Sequence, residues 1–442
     1  MNATGASILT ILVLVVLLGS RRWALLAMMA GVLFVPQAQQ IEVANFNLFS
    51  VRFLELAGFI RVVSRGEFSF LRLNKIDRAL LLLYSFTATV YLLRSTEGVA
   101  YMIGVVVDAW LCYFTFRALM VDMEDVRWFL KAFVFLLAPF VLLLLIESLT
   151  RYNVFSAIEN GLTGSVRGER FRCVGSFRHP DLLGTLGASF LPLYIGLARG
   201  RTGRVQAFVA IGLCLAIVWC SNSGGPVCAA AMGVIGWGCW KFRAKMREVR
   251  WGIVGLIVLA ALLMKAPVWY LLAHVSDVVG GGGWHRSYLM DVSFQHLGQW
   301  WFDGMRAEDT SDWFPYNLSL TGTVDITNEY LAFGLGAGLG AMALLILLLV
   351  RGFGATGEAM ASVRLREGGS NETAFLLWGL GVMLAVHVIN WFGISYFDQI
   401  YVVWFLQLAA VSSVTEHRLE TSPSLGMHEA VVWSETQEAF ES

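Results

Sequence analysis

Apolar runs long enough to cross a bilayer recur along almost the whole chain, and no soluble fold can bury them all. They lie at roughly 8 to 18, 23 to 36, 46 to 62, 78 to 94, 99 to 119, 127 to 147 and 181 to 198, then at roughly 205 to 221, 226 to 241, 251 to 270, 327 to 351, 373 to 395 and 398 to 415. Each reaches or approaches the length that spans a hydrocarbon core of about 30 Å. The first three are short enough to be re-entrant or tilted. With 57% of 442 residues hydrophobic and only 14% charged, the chain carries more apolar surface than a soluble core of this length uses. The expected fold class is therefore all-α: a polytopic integral membrane protein of about 12 to 13 transmembrane helices. The first apolar stretch has no basic region before it and no clear small-residue cleavage site, so it reads as a retained span.

The 32 basic and 32 acidic side chains sum to zero, but their placement sets an orientation. Arg21 and Arg22, the group from Arg61 to Arg78, Arg199 to Arg204, Lys241 to Arg250 and Arg351 to Arg366 fall in alternate connections, the pattern of cytoplasmic loops. The connections around 37 to 45, 95 to 98, 222 to 225 and 396 to 398 are nearly free of Lys and Arg and read as outward. Two outward segments are longer, 148 to 180 and 271 to 326. Three regions follow: N-terminal helices with the first long outward loop (1–180), a membrane core holding the second loop (181–415), and an acidic, disordered cytoplasmic tail (416–442). There is no internal repeat, and broken helices are not evident.

The first long outward segment breaks the positive-inside rule. It carries Arg151, Arg167, Arg170, Arg172 and Arg178, the last four close to His179, Pro180 and Asp181. Guanidinium presents a fork of donors that holds two phosphate oxygens at once and stays charged at any accessible pH. Several forks together suit a diphosphate. Gly175, Pro180 and Gly184 allow tight turning where loop becomes helix, and a helix starting near Asp181 adds free backbone donors. The same arginines also suit lipid headgroups, or pairing with Glu159 and Glu169, but their number on an outward face favours a bound anion.

In the second loop, Gly280 to Gly283 precede Trp284, His285, Arg286 and Tyr288, with His285, Leu289, Val292 and His296 at helical spacing. The pattern predicts an interfacial helix with Arg286 near its positive end, able to join the first arginines around one anion. An aromatic-belt element without chemistry fits the same residues. Further on, Asp325 and Glu329 precede a long Gly- and Ala-rich run; four residues apart, they share one face if the helix starts early, and either can accept a proton from an attacking hydroxyl. Asp325 also fits a helix N-cap bonding the backbone of Asn328. Within apolar runs, Asp108, His387, Asn390 and Asp398 are costly to bury and are candidate functional groups; His387 and Asn390 equally suit hydrogen bonding between helices.

Several function classes are excluded or disfavoured. The chain has no GxxxxGK[ST] loop. The acidic residues Asp303, Glu308, Asp309 and Asp312 match no divalent-ion spacing. The six cysteines form no CxxC pair and read as small core residues, so no metal site is expected. Nothing suggests nucleic acid as a partner.

At Arg172, Gly175-Ser176-Phe177, His179-Pro180-Asp181 and Gly184 the chain resembles the O-antigen ligase and polymerase superfamily. Ser221-Asn222-Ser223-Gly224-Gly225 looks like that family's small polar turn, and Arg286 lies where the family has an arginine in its long outward loop. Asn328, Tyr330, Leu331 and the glycines from 334 to 340 match its Asn-x-x-Leu and Gly-rich span. The resemblance implies a bacterial inner-membrane glycosyltransferase with a long periplasmic loop and a periplasm-facing site, using an undecaprenyl-diphosphate-linked glycan as donor and a second glycan as acceptor. Neither cofactor nor nucleotide is implied; other polysaccharide-assembly proteins are possible partners. Arg172, Arg178, Arg286 and Arg170 would hold the diphosphate. The ligases' loop histidine has Thr327 in its place, which moves the expected base to Asp325, with Glu329 and His179 in reserve, and favours a polymerase over a ligase. A transporter of the same lipid-linked glycan is the alternative from another class.

Overall fold

The structure is a computed structural model and describes residues 1–37, 39–43, 46–95, 98–271, 274, 283–313, 324–367 and 371–420. Most of the acidic tail and much of the second long loop, including 280 to 282 and 314 to 323, lie outside the described residues.

The chain is mostly helical, and each apolar run contains a helix. In order these are α1 (Ala3–Leu18), α2 (Arg21–Phe34), α3 (Ser50–Arg65), α4 (Lys75–Arg94), α5 (Val99–Leu119), α6 (Met123–Thr150) and α7 (Pro180–Arg199). There follow α8 (Arg204–Ser221), α9 (Gly224–Gly238), α10 (Met246–Leu263), α11 (Gly283–Gln295), the single turn α12 (Leu297–Trp300), α13 (Glu329–Glu367), α14 (Glu372–Asn390) and α15 (Gln399–Glu420). Among the described residues seven helices are long and apolar enough to cross a membrane: α4, α5, α6, α7, α8, α13 and α14. The helix α10 matches them in length but carries Arg247, Glu248 and Arg250 in its first turns.

The all-helical expectation needs one correction. Two antiparallel hairpins interrupt the helices: β1 (Gln40–Val43) with β2 (Phe46–Phe49), and β3 (Ser165–Arg167) with β4 (Arg170–Arg172). The apolar run from 46 therefore starts as strand. Gly168, at φ 62, makes the tight turn of the second hairpin.

Helix α7 is the axis of the bundle. Nearly its whole length is buried, and it packs against α8, α9 and α14, with α15 alongside. Small residues permit this: a Cβ on Gly184 would lie 2.6 Å from Pro226, and one on Gly187 would lie 2.5 Å from the Cys214 carbonyl. Close backbone approach of this kind is how helices associate where apolar burial no longer discriminates helix from lipid. Around it, α13 packs on α4, α14 and α15, and α15 on α5.

The long helix α13 is broken at Ala337 and Gly338, where Gly338 has φ 80 and ψ 178. The freed groups find partners in the turn after α12. Leu339 N–H donates to the Trp301 carbonyl at 2.8 Å, and Met305 N–H donates to the Leu335 carbonyl at 2.8 Å.

Candidate functional site

Helices α7, α9, α13 and α15 begin at one end of the bundle, and the arginine segment runs across that end. Its path is fixed by polar anchors. Both oxygens of Glu147, a carboxylate near the end of α6, accept backbone N–H groups, from Val174 at 3.0 Å and Gly175 at 2.9 Å. Asn153 donates to the Gly175 carbonyl at 2.8 Å, and Gln399 donates to the Ser176 carbonyl at 2.8 Å. Gly175 sits at φ 58 with a Cβ position 2.8 Å from Leu144, so both conformation and space require glycine there. Cys173 N–H donates to the Cys220 carbonyl at 3.0 Å, which ties β4 to the Ser221–Ser223 turn before α9.

So held, Arg172 points inward. Its Nη2 donates to Asp181 Oδ1 at 3.0 Å and to Ser223 Oγ at 2.6 Å, and Nε reaches the same hydroxyl at 3.2 Å. From α11, Arg286 brings its Nη2 to 3.5 Å from Asp181 Oδ2. The two cations thus share one carboxylate in the first turn of α7, and all three side chains are largely shielded from solvent. Arg286 occupies a slot lined by glycine: a Cβ on Gly225 would stand 3.6 Å from its Nη2, and one on Gly393 would stand 3.3 Å from its Cζ. Burial lowers the Arg172 pKa from its ordinary value, and the charges of Arg167 and Arg286 act in the same direction against Asp181. A guanidinium so placed remains charged near neutral pH.

His179 is the N-cap of α7, with Nδ1 accepting the Asp181 N–H at 3.2 Å. That bond puts the imidazole proton on Nε2. Burial lowers its pKa, helped by Arg172 and Arg167 and opposed by Asp181 and Asp325. Asp325 is exposed and lies before the helix rather than in it. Asn328, not Asp325, caps α13, its side chain accepting the Leu331 N–H at 3.1 Å. The helix starts at Glu329, so Asp325 and Glu329 share no helix face. Instead Glu329 Oε2 accepts the Tyr396 N–H at 2.7 Å and ties α13 to the connection after α14.

The other two predicted arginines stand apart. Arg178 faces Asp398 at 3.6 Å and the Phe49 ring at 5.9 Å, with no contact to Asp181 among those of the described residues. Burial raises the Asp398 pKa and Arg178 lowers it. Arg170 pairs in register with Arg167 across the β3–β4 hairpin, and both are exposed. Like charges directly opposite one another on a short hairpin repel. His285, on α11, is half-buried; His296 stacks on Trp313 at 5.2 Å and contacts the Val292 carbonyl at 2.9 Å.

Beneath Asp181, polar groups bond from helix to helix. Asn390 donates to Thr185 Oγ1 at 2.7 Å, and Thr185 donates to the Asp181 carbonyl at 2.7 Å. His387 bonds Gln407 Oε1 and the Tyr396 hydroxyl, each at 2.6 Å. Three members of the site had no assigned role from sequence: Asp181, Ser223 and Glu147. Asp181 and Ser223 lie inside recognisable segments, whereas Glu147 closes an apolar run in which a lone acid signals only that it must find donors.

Taken chemically, the end of the bundle offers two forks converging on one carboxylate, a neutral histidine and a solvent-accessible carboxylate nearby. Such a set can hold a multivalent oxyanion that displaces Asp181 and can receive a proton beside it. Neither a protein-family model nor a curated protein matches the chain.

Proposed function

We propose that the protein is a membrane glycosyltransferase that polymerises glycan repeat units carried on undecaprenyl diphosphate, at the periplasmic face of a bacterial inner membrane. The observation that carries this reading is the convergence of Arg172 and Arg286 on Asp181. In this reading all thirteen helices at the apolar runs, α11 and α12 excluded, belong to the membrane, and the arginine-bearing end faces outward by the positive-inside rule. Motif resemblance around Arg172, His179 to Asp181 and Arg286 supports the family, that of the O-antigen ligases and polymerases.

In the reaction an acceptor sugar hydroxyl attacks the anomeric carbon of the donor. The new glycosidic bond forms as the bond to the phosphate oxygen breaks, and the hydroxyl proton passes to a carboxylate. Lipid diphosphate leaves with the electron pair. Arg172 and Arg286 neutralise the charge that grows on it, an effect strongest where water is excluded. Asp181 keeps the two forks oriented while the site is empty. Asp325 is the assigned base, being accessible and electrostatically coupled to His179; Glu329 and His179 are the reserves.

The test is polymer output from cells carrying Arg172→Ala or Arg286→Ala at normal membrane abundance. Unchanged output overturns the assignment. In a deletion strain, accumulation of single-repeat lipid-linked glycan marks a polymerase, and long lipid-linked chains without surface attachment mark a ligase. One observation favours a transporter as second reading: the break in α13 at Gly338, since broken helices recur in transport proteins. Formation of a glycosidic linkage by purified protein in detergent, with no second compartment, excludes it.

A further inference from the structure

A second polar feature lies at the opposite end of the bundle. A cavity of about 490 Å³ opens where the start of α4 meets the later part of α13 and the end of α15. Along α13, Val350 at the cavity is 12 residues beyond the break at Gly338, about 18 Å at the rise of an α-helix, and Glu329 at the arginine site lies on the far side of that break. The two sites are therefore separate. The cavity walls are mainly apolar, with Ile76, Val350 and Ala355 among them, and its charged residues are Lys75, Arg78, Arg351, Glu358 and Glu416.

The charges do not cancel. Glu416 is engaged by Arg117, which comes from outside the cavity. Lys75, Arg78 and Arg351 take part in no ion pair found among the described residues. Arg117 also pairs with Asp77, so it offsets only one of two carboxylates, and Lys75, Arg78, Arg351 and Arg117 against Glu358, Glu416 and Asp77 leave an excess of one positive charge.

We propose that this cavity binds one anionic phospholipid, with the headgroup phosphate among Lys75, Arg78 and Arg351 and an acyl chain along the apolar wall. Charge complementarity selects the headgroup, as in basic pockets between membrane helices. The apolar wall selects a lipid over a soluble anion, which would leave that wall uncovered. A zwitterionic headgroup brings its own cation and gains less from the excess charge. The site is independent of the glycosyl-transfer reading, since none of its residues belongs to the Asp181 cluster.

The experiment uses purified full-length protein, delipidated in detergent and titrated with phosphatidylglycerol or phosphatidylcholine, with bound lipid counted by native mass spectrometry. The expected result is one phosphatidylglycerol retained at least tenfold more tightly than phosphatidylcholine. The triple variant Lys75→Gln, Arg78→Gln, Arg351→Gln should lose that preference, and Glu358→Gln should strengthen it, an opposite sign that misfolding does not mimic. Millimolar inorganic phosphate should displace little lipid. Equal retention of the two lipids, an unchanged triple variant, or full displacement by inorganic phosphate would each overturn the proposal.

Discussion

The guanidinium of Arg286 lies 3.5 Å from one oxygen of Asp181, while Arg172 holds the other oxygen at 3.0 Å. One carboxylate thus keeps two like charges together, and an entering anion must compete with it. The consequence is testable because stability and ligand affinity should move in opposite directions. Asp181→Asn keeps the shape but removes the shared counter-charge, and breaking a buried pair costs about 3 to 5 kcal/mol. The variant should melt at lower temperature in detergent, bind inorganic diphosphate more tightly than wild type, and regain more thermal stability on adding it. Weaker diphosphate binding would show that Asp181 is part of the anion site rather than its competitor.

Arginine geometry, not charge alone, should set the activity. Arg172 uses both Nε and Nη2, bonding a hydroxyl and a carboxylate together, which an ammonium cannot reproduce. Arg172→Lys should therefore lower polymer output by at least about tenfold, the factor equivalent to roughly 1.4 kcal/mol, a typical charge-assisted bond. Arg170→Lys, on the exposed hairpin, should leave output within about twofold, as surface changes usually do. Equal effects at the two positions would remove the distinction drawn between them.

His179 gives the site a pH dependence. Its pKa is lowered in the folded protein, so the unfolded chain binds the proton more readily. The stabilisation is fully present above the unfolded value of about 6.5 and is lost as pH falls through the lower folded value. Protonation would also end the acceptance of the Asp181 N–H by Nδ1 and add charge beside Arg172. Thermal stability should fall on acidification below about pH 6.5, and His179→Asn, which retains a capping acceptor, should flatten the curve. An identical pH profile in that variant would assign the dependence to another group.

Inside the bundle, Arg52 and Asp108 form a bidentate pair at 2.7 and 2.8 Å. Asp108 was legible as a costly acid in an apolar run, but its partner was not, because Arg52 sits near the start of a short helix preceded by a hairpin. The same limit governs the main site. Arg172, His179 and Arg286 were marked by residue type, yet their convergence depends on α7 and α11 meeting, which no local pattern encodes. Arg178 and Arg170 looked equivalent to Arg172 in sequence; Arg170 shares a strand face with Arg172 but stays at the exposed turn end of the hairpin, and the Gly175 turn sends Arg178 elsewhere. Arg52→Ala should cost about 3 to 5 kcal/mol by leaving Asp108 unpaired, and Arg52→Leu combined with Asp108→Leu should recover much of it. Thermal melting in detergent reads both, and a double variant as unstable as the single one would contradict the pairing account.

The break in α13 was hidden for a different reason: glycines at 334, 336, 338 and 340 look alike in sequence, and all read as small residues for close helix packing. Only Gly338 adopts a conformation that side chains rarely take, and a Cβ there would meet the Phe302 carbonyl. A Cβ on Gly336 would meet nothing within 4 Å. Gly338→Ala should therefore destabilise by about 1 to 3 kcal/mol from strain alone, with the collision added. It should also loosen the Trp301 to Met305 turn that bonds across the break, seen as faster amide exchange at Leu339 and Met305. Gly336→Ala should be neutral or stabilising by about 0.5 to 1 kcal/mol, because alanine orders a helix more readily than glycine. Similar melting shifts for the two variants would mean that α13 runs through without a break.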